Sequence, residues 1–379
     1  MLAWLLVLAQ DPAPAPPSPP SLRIGGRLQS DFGWLGGDGA AAAAASAGSE
    51  RGGSAEFRRA RLRADLTLAE RLQARVEFDF AAGRSQPREL ALLYADAPGA
   101  AWKLGYAKLP FGFERQMSSN DFPLPEESLG EQAVPPGRGS ALIRARWSDA
   151  WTVSGAVYQV TDADARAVDG GWGLAARGVW RPLHDAARGR WLHLGADLGW
   201  EDPSGATGFD ALPEHHLPGA WLDTGAFASG GFLRAGLEAA AIAGPFHGLA
   251  QSFLAAPDRA SGGGDAEVRG WSVLLGGTLT GESRGYLTDK ACFGGVRPAA
   301  DFSAGGAGGA GAWEWAARFS RLDLDAAAAP GAAAQIDVWS CGLTWHWTPH
   351  LRWMLAGSRA ELADLEPAWI VTLRCGFDW

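Results

Sequence analysis

The sequence predicts an all-β fold: a transmembrane antiparallel β-barrel of about 16 strands, with long extracellular loops and short periplasmic turns. Three observations lead there. The chain ends on Trp369-Ile-Val-Thr-Leu-Arg-Cys-Gly-Phe-Asp-Trp379, in which Trp369, Val371, Leu373, Cys375, Phe377 and Trp379 alternate with Thr372, Arg374, Gly376 and Asp378. That period of two makes a strand apolar on one face and polar on the other, finishing on an aromatic at the rim. Second, the chain has 19 tryptophans but only 3 methionines. Indoles gather where lipid meets water, so girdles at strand ends account for the excess. Third, no run approaches the roughly 18 apolar residues that a membrane helix needs, while apolar and polar residues alternate throughout.

From the N-terminus, residues 1–9 read as a short secretory signal, with Leu2 to Ala9 as its apolar core but without a positive n-region. Residues 10–20 form a Pro-rich linker that cannot join a sheet, and 21–379 are the barrel. Strand patterns fall near 22–34, 56–68, 71–81, 89–96, 101–108, 140–147, 150–160, 171–181, 190–201, 230–241, 246–256, 268–281, 311–323, 335–347, 350–361 and 368–379. With both termini in the periplasm the count must be even. The long connections 35–55, 109–139 and 202–229 then all fall outside, and the Ala-rich stretch 39–48 is a loop. Gly219 to Ala228 would break the parity as a strand and is placed in the long loop, whereas 282–310 is unusually long for a periplasmic turn.

The clearest chemistry lies on the second and third strands. Arg59, Arg61, Arg63, Asp65 and Thr67 alternate with Ala60, Leu62, Ala64, Leu66 and Leu68, and Arg71, Gln73, Arg75, Glu77 and Asp79 with Leu72, Ala74, Val76, Phe78 and Phe80. An arginine facing lipid at mid-depth costs about 2 to 4 kcal/mol, so these guanidiniums are expected to line the lumen. Arg144 and Arg146, alternating with Ile143, Ala145 and Trp147, extend the lining by the same rule. Such a ladder either hydrates the wall through cross-strand pairs or guides anions.

The chain resembles the phosphate-selective porins O and P. The resemblance is carried by Glu56-Phe-Arg-Arg-Ala-Arg-Leu-Arg63, by Leu104-Gly-Tyr-Ala-Lys-Leu-Pro-Phe-Gly-Phe-Glu114 with Ser118-Ser-Asn-Asp121, by Leu279-Thr-Gly-Glu-Ser-Arg284, and by Gly311-Ala-Trp-Glu-Trp-Ala-Ala-Arg-Phe-Ser-Arg-Leu-Asp323. It implies a homotrimer of sixteen-stranded barrels with a basic pore, constricted by an infolded third loop, here Leu109 to Gly139, that carries Arg115 and Arg138. That loop also carries Glu114, Asp121, Glu126, Glu127 and Glu131, and Lys103, Lys108 and Lys290 are the only lysines in the chain. The residues themselves therefore give little support to a lysine-lined phosphate funnel.

Other chemistries find no foothold. The net charge of −9 argues against a nucleic-acid partner. Cys292, Cys341 and Cys375 are too few and too scattered for a disulfide framework or a zinc site. The pair His215-His216 lacks a spaced third ligand and reads as an exposed loop pair. His346 and His350 flank a periplasmic turn, the glycine clusters lack a strand-to-helix setting, and no Ser, His and acid are brought together. No catalytic residue, cofactor or metal is expected. The partners are outer-membrane lipid and small anions such as phosphate, and the expected function is passive diffusion of small hydrophilic solutes with an anion preference. The alternatives are a non-selective porin and a structural or adhesive barrel without channel activity.

Overall fold

The computed structural model describes residues 20–37, 52–162, 164–257, 267–303, 308–324, 334–363 and 365–379. The expected signal segment and the loop at 39–48 lie outside them. Sixteen strands close into one barrel in which every neighbour is the next in sequence. They are β1 (Ser21–Gly36), β2 (Gly52–Ala69), β3 (Leu72–Asp79), β4 (Gln86–Ala97), β5 (Ala100–Lys108), β6 (Arg138–Trp147), β7 (Trp151–Thr161) and β8 (Ala167–Asp185). There follow β9 (Arg190–Asp202), β10 (Phe232–Ala243), β11 (Phe246–Ala256), β12 (Val268–Thr278), β13 (Ala312–Asp323), β14 (Gln335–His346), β15 (Leu351–Leu362) and β16 (Ala368–Asp378). β1 pairs antiparallel with β16 from Arg27↔Asp378 to Gly36↔Trp369, so no edge is left open.

The alternation read from the C-terminus sets the faces. Trp369, Val371, Leu373, Phe377 and Trp379 are exposed on the outer surface, while Thr372 and Arg374 are buried inside. The aromatic ring at the short-turn end includes the facing pair Trp151 and Trp180, and Trp313 stacked on Trp345 at 4.8 Å between centroids. Trp34 and Trp369 belong to the opposite rim.

Three connections turn into the barrel instead of away from it. From the long-loop end, residues 109–137 enter with two short helices, α1 (Phe113–Gln116) and α2 (Leu129–Ala133). Gly130 of α2 rests on Gly270 of β12, where a Cβ on Gly270 would come within 2.4 Å of the Gly130 Cα. Residues 203–231 enter from the same end; the Gly219 to Ala228 stretch contributes only two short pairings inside this loop, at Leu222–Asp223 and Phe227–Ser229. The third infold is the long connection between β12 and β13. It enters from the short-turn end as a hairpin, Tyr286–Leu287 against Cys292–Phe293, and its length is explained by the lumen it fills.

These infolds fill one side of the lumen. Phe111, Leu129, Val134, Phe209, Trp221 and Leu222 pack on Phe253, Val268, Leu322, Ile336 and Ile370. Phe113, Met117, Phe122 and Leu124 pack on Trp191, Ile242, Leu249 and Leu274 together with Cys292 and Phe293 of the hairpin. Inward positions of β9 to β16 that the loops cover are apolar in these clusters and elsewhere are buried polar groups bonded to the loops, such as Arg234, Gln251, Arg318 and Arg374, and the lumen stays open along β1 to β6.

Candidate functional site: a basic eyelet

The open side of the lumen narrows to a cavity of about 370 Å³ between the β1 to β6 wall and the infolded segments. Its lining carries twelve cationic side chains and four carboxylates. Arg27 comes from β1, Arg58, Arg59, Arg61 and Arg63 from β2, Arg75 from β3, Arg88 from β4, Lys103 and Lys108 from β5, and Arg138 from the start of β6. Arg115 comes from α1 and Lys290 from the hairpin. The acids are Glu77, Glu89, Glu126 and Glu127.

Cross-strand pairing orders the wall. Arg61 faces Asp79 in the register and donates to it at 2.7 Å, Arg75 donates to Asp65 at 2.6 Å, and Lys103 donates to Glu89 at 2.7 Å. Arg63 lies 3.0 Å from Asp65. Such pairs fix the direction of each guanidinium without cancelling the cationic excess. Opposite them, Arg115 pairs with Glu127 at 2.9 Å and donates to the carbonyls of Glu131 and Gln132, and Arg27 donates to the hydroxyls of Ser118 and Ser119. Glu126 takes bonds from Arg58, Arg59 and Arg374. Burial alone would raise its carboxyl, but those guanidiniums hold it well below the usual carboxylate range. Glu131, buried with Glu114 and Glu127 nearby, is pushed well above that range instead.

A second cavity of about 430 Å³ shares Arg27, Arg63 and Ser118 with the first and reaches the short-turn end at Thr348, His350 and Asp378. The two cavities are adjacent, and Arg297 and Arg352 also line the second.

The structure places the sequence-selected arginines in three settings. Arg59, Arg61, Arg63, Arg75, Arg115 and Arg138 line the eyelet. Arg71 does not: it lies in the turn between β2 and β3, exposed, with its guanidinium on the Asp96 carbonyl. Arg144 and Arg146 are corrected to the outer face. Arg144 pairs across the sheet with Trp102, and Leu142 with Leu104, all on the same exposed side. Its guanidinium stacks 4.8 Å from the Trp102 ring and donates to Asp96 at 2.7 Å. The alternation misled because the inward residues here, Ala141 and Ile143, are apolar too: Leu109 and Tyr158 cover them at the base of the third loop. His215 is another correction. It is fully buried, bonded to the hydroxyls of Thr372 and Ser358 at 2.7 Å each, and His216 pairs with Glu56.

Most eyelet residues not singled out from the sequence fall into three kinds. Arg27 and Lys103 obey the same alternation as the ladder and were legible by it. Arg58 and Arg88 were not, because register shifts between Gln29 and Ser30 and between Glu77 and Phe78 turn an extra residue inward on each strand. Lys290 reaches the eyelet only through the infolded hairpin. All three lysines of the chain thus meet at one cavity.

The profile of the family described as phosphate-selective porin O and P matches residues 22–365. Porin O of Pseudomonas aeruginosa is 28% identical over 313 residues, covering 73% of this chain and 68% of that protein. An uncharacterized protein of Caulobacter vibrioides is 29% identical over 219 residues, covering 54% of this chain but 42% of its own length. Among solved structures, the anion-selective porin from Comamonas acidovorans superposes with a TM-score of 0.57 at 10% identity, covering 95% of this chain and 99% of that one. The channel DcaP of Acinetobacter baumannii gives 0.55 at 10% identity, with 94% and 97% covered. OmpT of Vibrio cholerae in its trimer form gives 0.55 at 10% identity, with 95% and 99% covered. At those identities the likeness is one of fold.

Proposed function

We propose the function from one premise: the chain belongs to the phosphate-selective porin O and P family. It is an outer-membrane porin of a Gram-negative bacterium, and our reading is that it passes small hydrophilic anions, oxyanions such as phosphate among them, by passive diffusion. The observation that carries this reading is the lining of the eyelet, twelve cations against four carboxylates. The net charge of the whole chain is −9, yet the local sign governs. At physiological ionic strength the Debye length is about 8 Å, so a permeating ion feels the eyelet and little of the distant surface. Guanidiniums keep their charge across the working pH range and present forks that fit phosphate and carboxylate oxygens.

The arrangement has no need of a cofactor. Solutes are sorted by the width left beside the infolded loops and by a field that lowers the energy of anions there. The pairs Arg61–Asp79, Arg75–Asp65 and Lys103–Glu89 favour a second reading, a non-selective porin whose wall charges are mutually neutralised. Reversal potential separates the two. In planar bilayers under a tenfold potassium chloride gradient, the anion channel gives a potential of the sign set by chloride. A potential near zero supports the non-selective porin, and absence of conductance supports a barrel that only anchors its loops. For the assembly we propose a homotrimer. The outer wall over β6 to β9 is smoothed by Gly155 and Ala176 between Leu142, Val157, Leu198 and Trp200, which suits close packing against another barrel. Sedimentation of the detergent-solubilised protein tests it.

A further inference from the structure

Three guanidiniums converge on one carboxylate in the wall of the eyelet. Arg58 sets its fork on both oxygens of Glu126, Nε on Oε1 at 2.8 Å and Nη2 on Oε2 at 2.9 Å. Arg59 adds its Nη2 to Oε2 at 2.9 Å, and Arg374 its Nη2 to Oε1 at 2.8 Å. These are the bonds that a free phosphate or carboxylate would take from the same donors. Arg374 also holds Asp31 at 2.6 and 2.7 Å, so three guanidiniums face two acids and one positive charge is left over.

The carboxylate is not needed to hold its own backbone in place. Arg318 donates to the Glu126 carbonyl at 2.9 Å, and Arg374 donates to the carbonyl of Pro125. The constriction loop is therefore tied to β13 and β16 through main-chain oxygens, and the Glu126 side chain is free to be considered for its charge. It lines the eyelet cavity.

We infer that Glu126 is a specificity-determining residue, a tethered counter-anion that occupies an oxyanion site built by Arg58, Arg59 and Arg374. The inference deepens the anion-channel reading and rests on it. While the site is filled from within, a passing oxyanion meets the field of the eyelet but finds this cradle taken, and it moves on. Vacating the site exposes a fork and two further donors, three guanidiniums against the Asp31 carboxylate, and an oxyanion lodges there.

The test compares wild type with Glu126→Ala, which vacates the site, Glu126→Gln, which keeps the volume but not the charge, and Glu126→Asp, which keeps the charge. Each is reconstituted in planar bilayers in potassium chloride and titrated with inorganic phosphate, after heat-modifiable migration in gels has shown a closed barrel. The concentration of phosphate that halves the chloride current is expected to fall on the order of tenfold in Glu126→Ala, a loss of charge compensation being worth about that much. Glu126→Gln is expected to move the same way and Glu126→Asp to stay near wild type. An unchanged or higher half-blocking concentration in Glu126→Ala, with wild type anion-preferring, overturns the inference and leaves the channel reading standing. A conductance that rises for potassium and chloride alike, with no shift in reversal potential, overturns it too and makes Glu126 a loop clamp. A wild type with no anion preference overturns both readings.

Discussion

Lys290 offers the most direct test of the field in the eyelet. It sits on the infolded hairpin, it is exposed, and among the described residues its ammonium has no ion pair or hydrogen bond, so replacing it breaks no side-chain bond. Lys290→Glu reverses one charge and lowers the cationic excess of the lining from eight to six. A unit charge about 4 Å from a permeating ion in water is worth about 1 kcal/mol, and a reversal about twice that. Screening by the electrolyte takes part of this, so the ratio of chloride to potassium permeability is expected to fall about fivefold to tenfold near 0.01 M salt, where the Debye length is about 30 Å. At 1 M, where it is about 3 Å, the difference should nearly vanish. The assay is the reversal potential in a fixed-ratio potassium chloride gradient, repeated at both ionic strengths. A ratio unchanged at low salt would mean that the hairpin tip lies off the conduction path, and a change that persists at 1 M would mean that the mutation altered the shape of the eyelet instead of its field.

Three further outcomes follow from the same geometry. Arg284→Ala removes the guanidinium that bonds Glu314 at 2.6 Å and the carbonyls of Asp121 and Gly294; a buried carboxylate left without its partner costs about 3 to 5 kcal/mol, so the hairpin should undock, which a rise in single-channel conductance and new trypsin cleavage at Lys290 would register. Arg144→Gln lies on the outer face and should leave the reversal potential where it is, whereas Arg63→Gln and Arg75→Gln should shift it toward potassium; an equal shift in all three would restore Arg144 to the lumen. His215 is lowered to about 3 by burial and by the nearby Arg374 and Arg318; its folded value lies below its unfolded one, so the unfolded loop binds the extra proton and docking weakens as pH falls from about 6.5 toward 3, by up to about 1.4 kcal/mol per pH unit. Hydrogen exchange in the 203–231 loop should quicken over that range, and His215→Asn should abolish the slope.

The strands were legible because each barrel strand has to present lipid on one side, and lipid tolerates few exceptions. Leu62, Leu66, Val76 and Phe78 could face only outward, which turned Arg61, Arg63, Arg75 and Glu77 inward without further information. The rule fails where the inward face is apolar as well. Ile143 and Ala141 are covered by the base of the third loop, so nothing in the β6 sequence shows which of its two faces meets lipid, and Arg144 was read into the lumen. It fails again at the bulges, where Arg58 and Arg88 break a period that the flanking residues keep. The infolds were legible only indirectly, as a turn of the wrong length between β12 and β13 and as a loop rich in acids.

Those acids also explain why the third loop looked unsuited to an anion path when counted alone. Glu114 meets Arg318 and Glu127 meets Arg115, so these two acids hold the loop down, while Glu126 meets Arg58, Arg59 and Arg374 from the wall as their counter-charge. A loop carried into a basic lumen has to bring carboxylates to bind there, since burying the wall arginines under an apolar loop would leave their charge uncompensated. The acids are thereby used in attachment or, at Glu126, in charge compensation, and the wall cations that the loop does not reach, Arg63, Arg75, Arg88 and Lys103 among them, face the open side. Selectivity in this barrel is on this argument a consequence of where the loops dock. The side of the lumen that they cover is neutralised by pairing, and the strip that they leave bare, along β1 to β6, keeps the charge that a permeating ion meets.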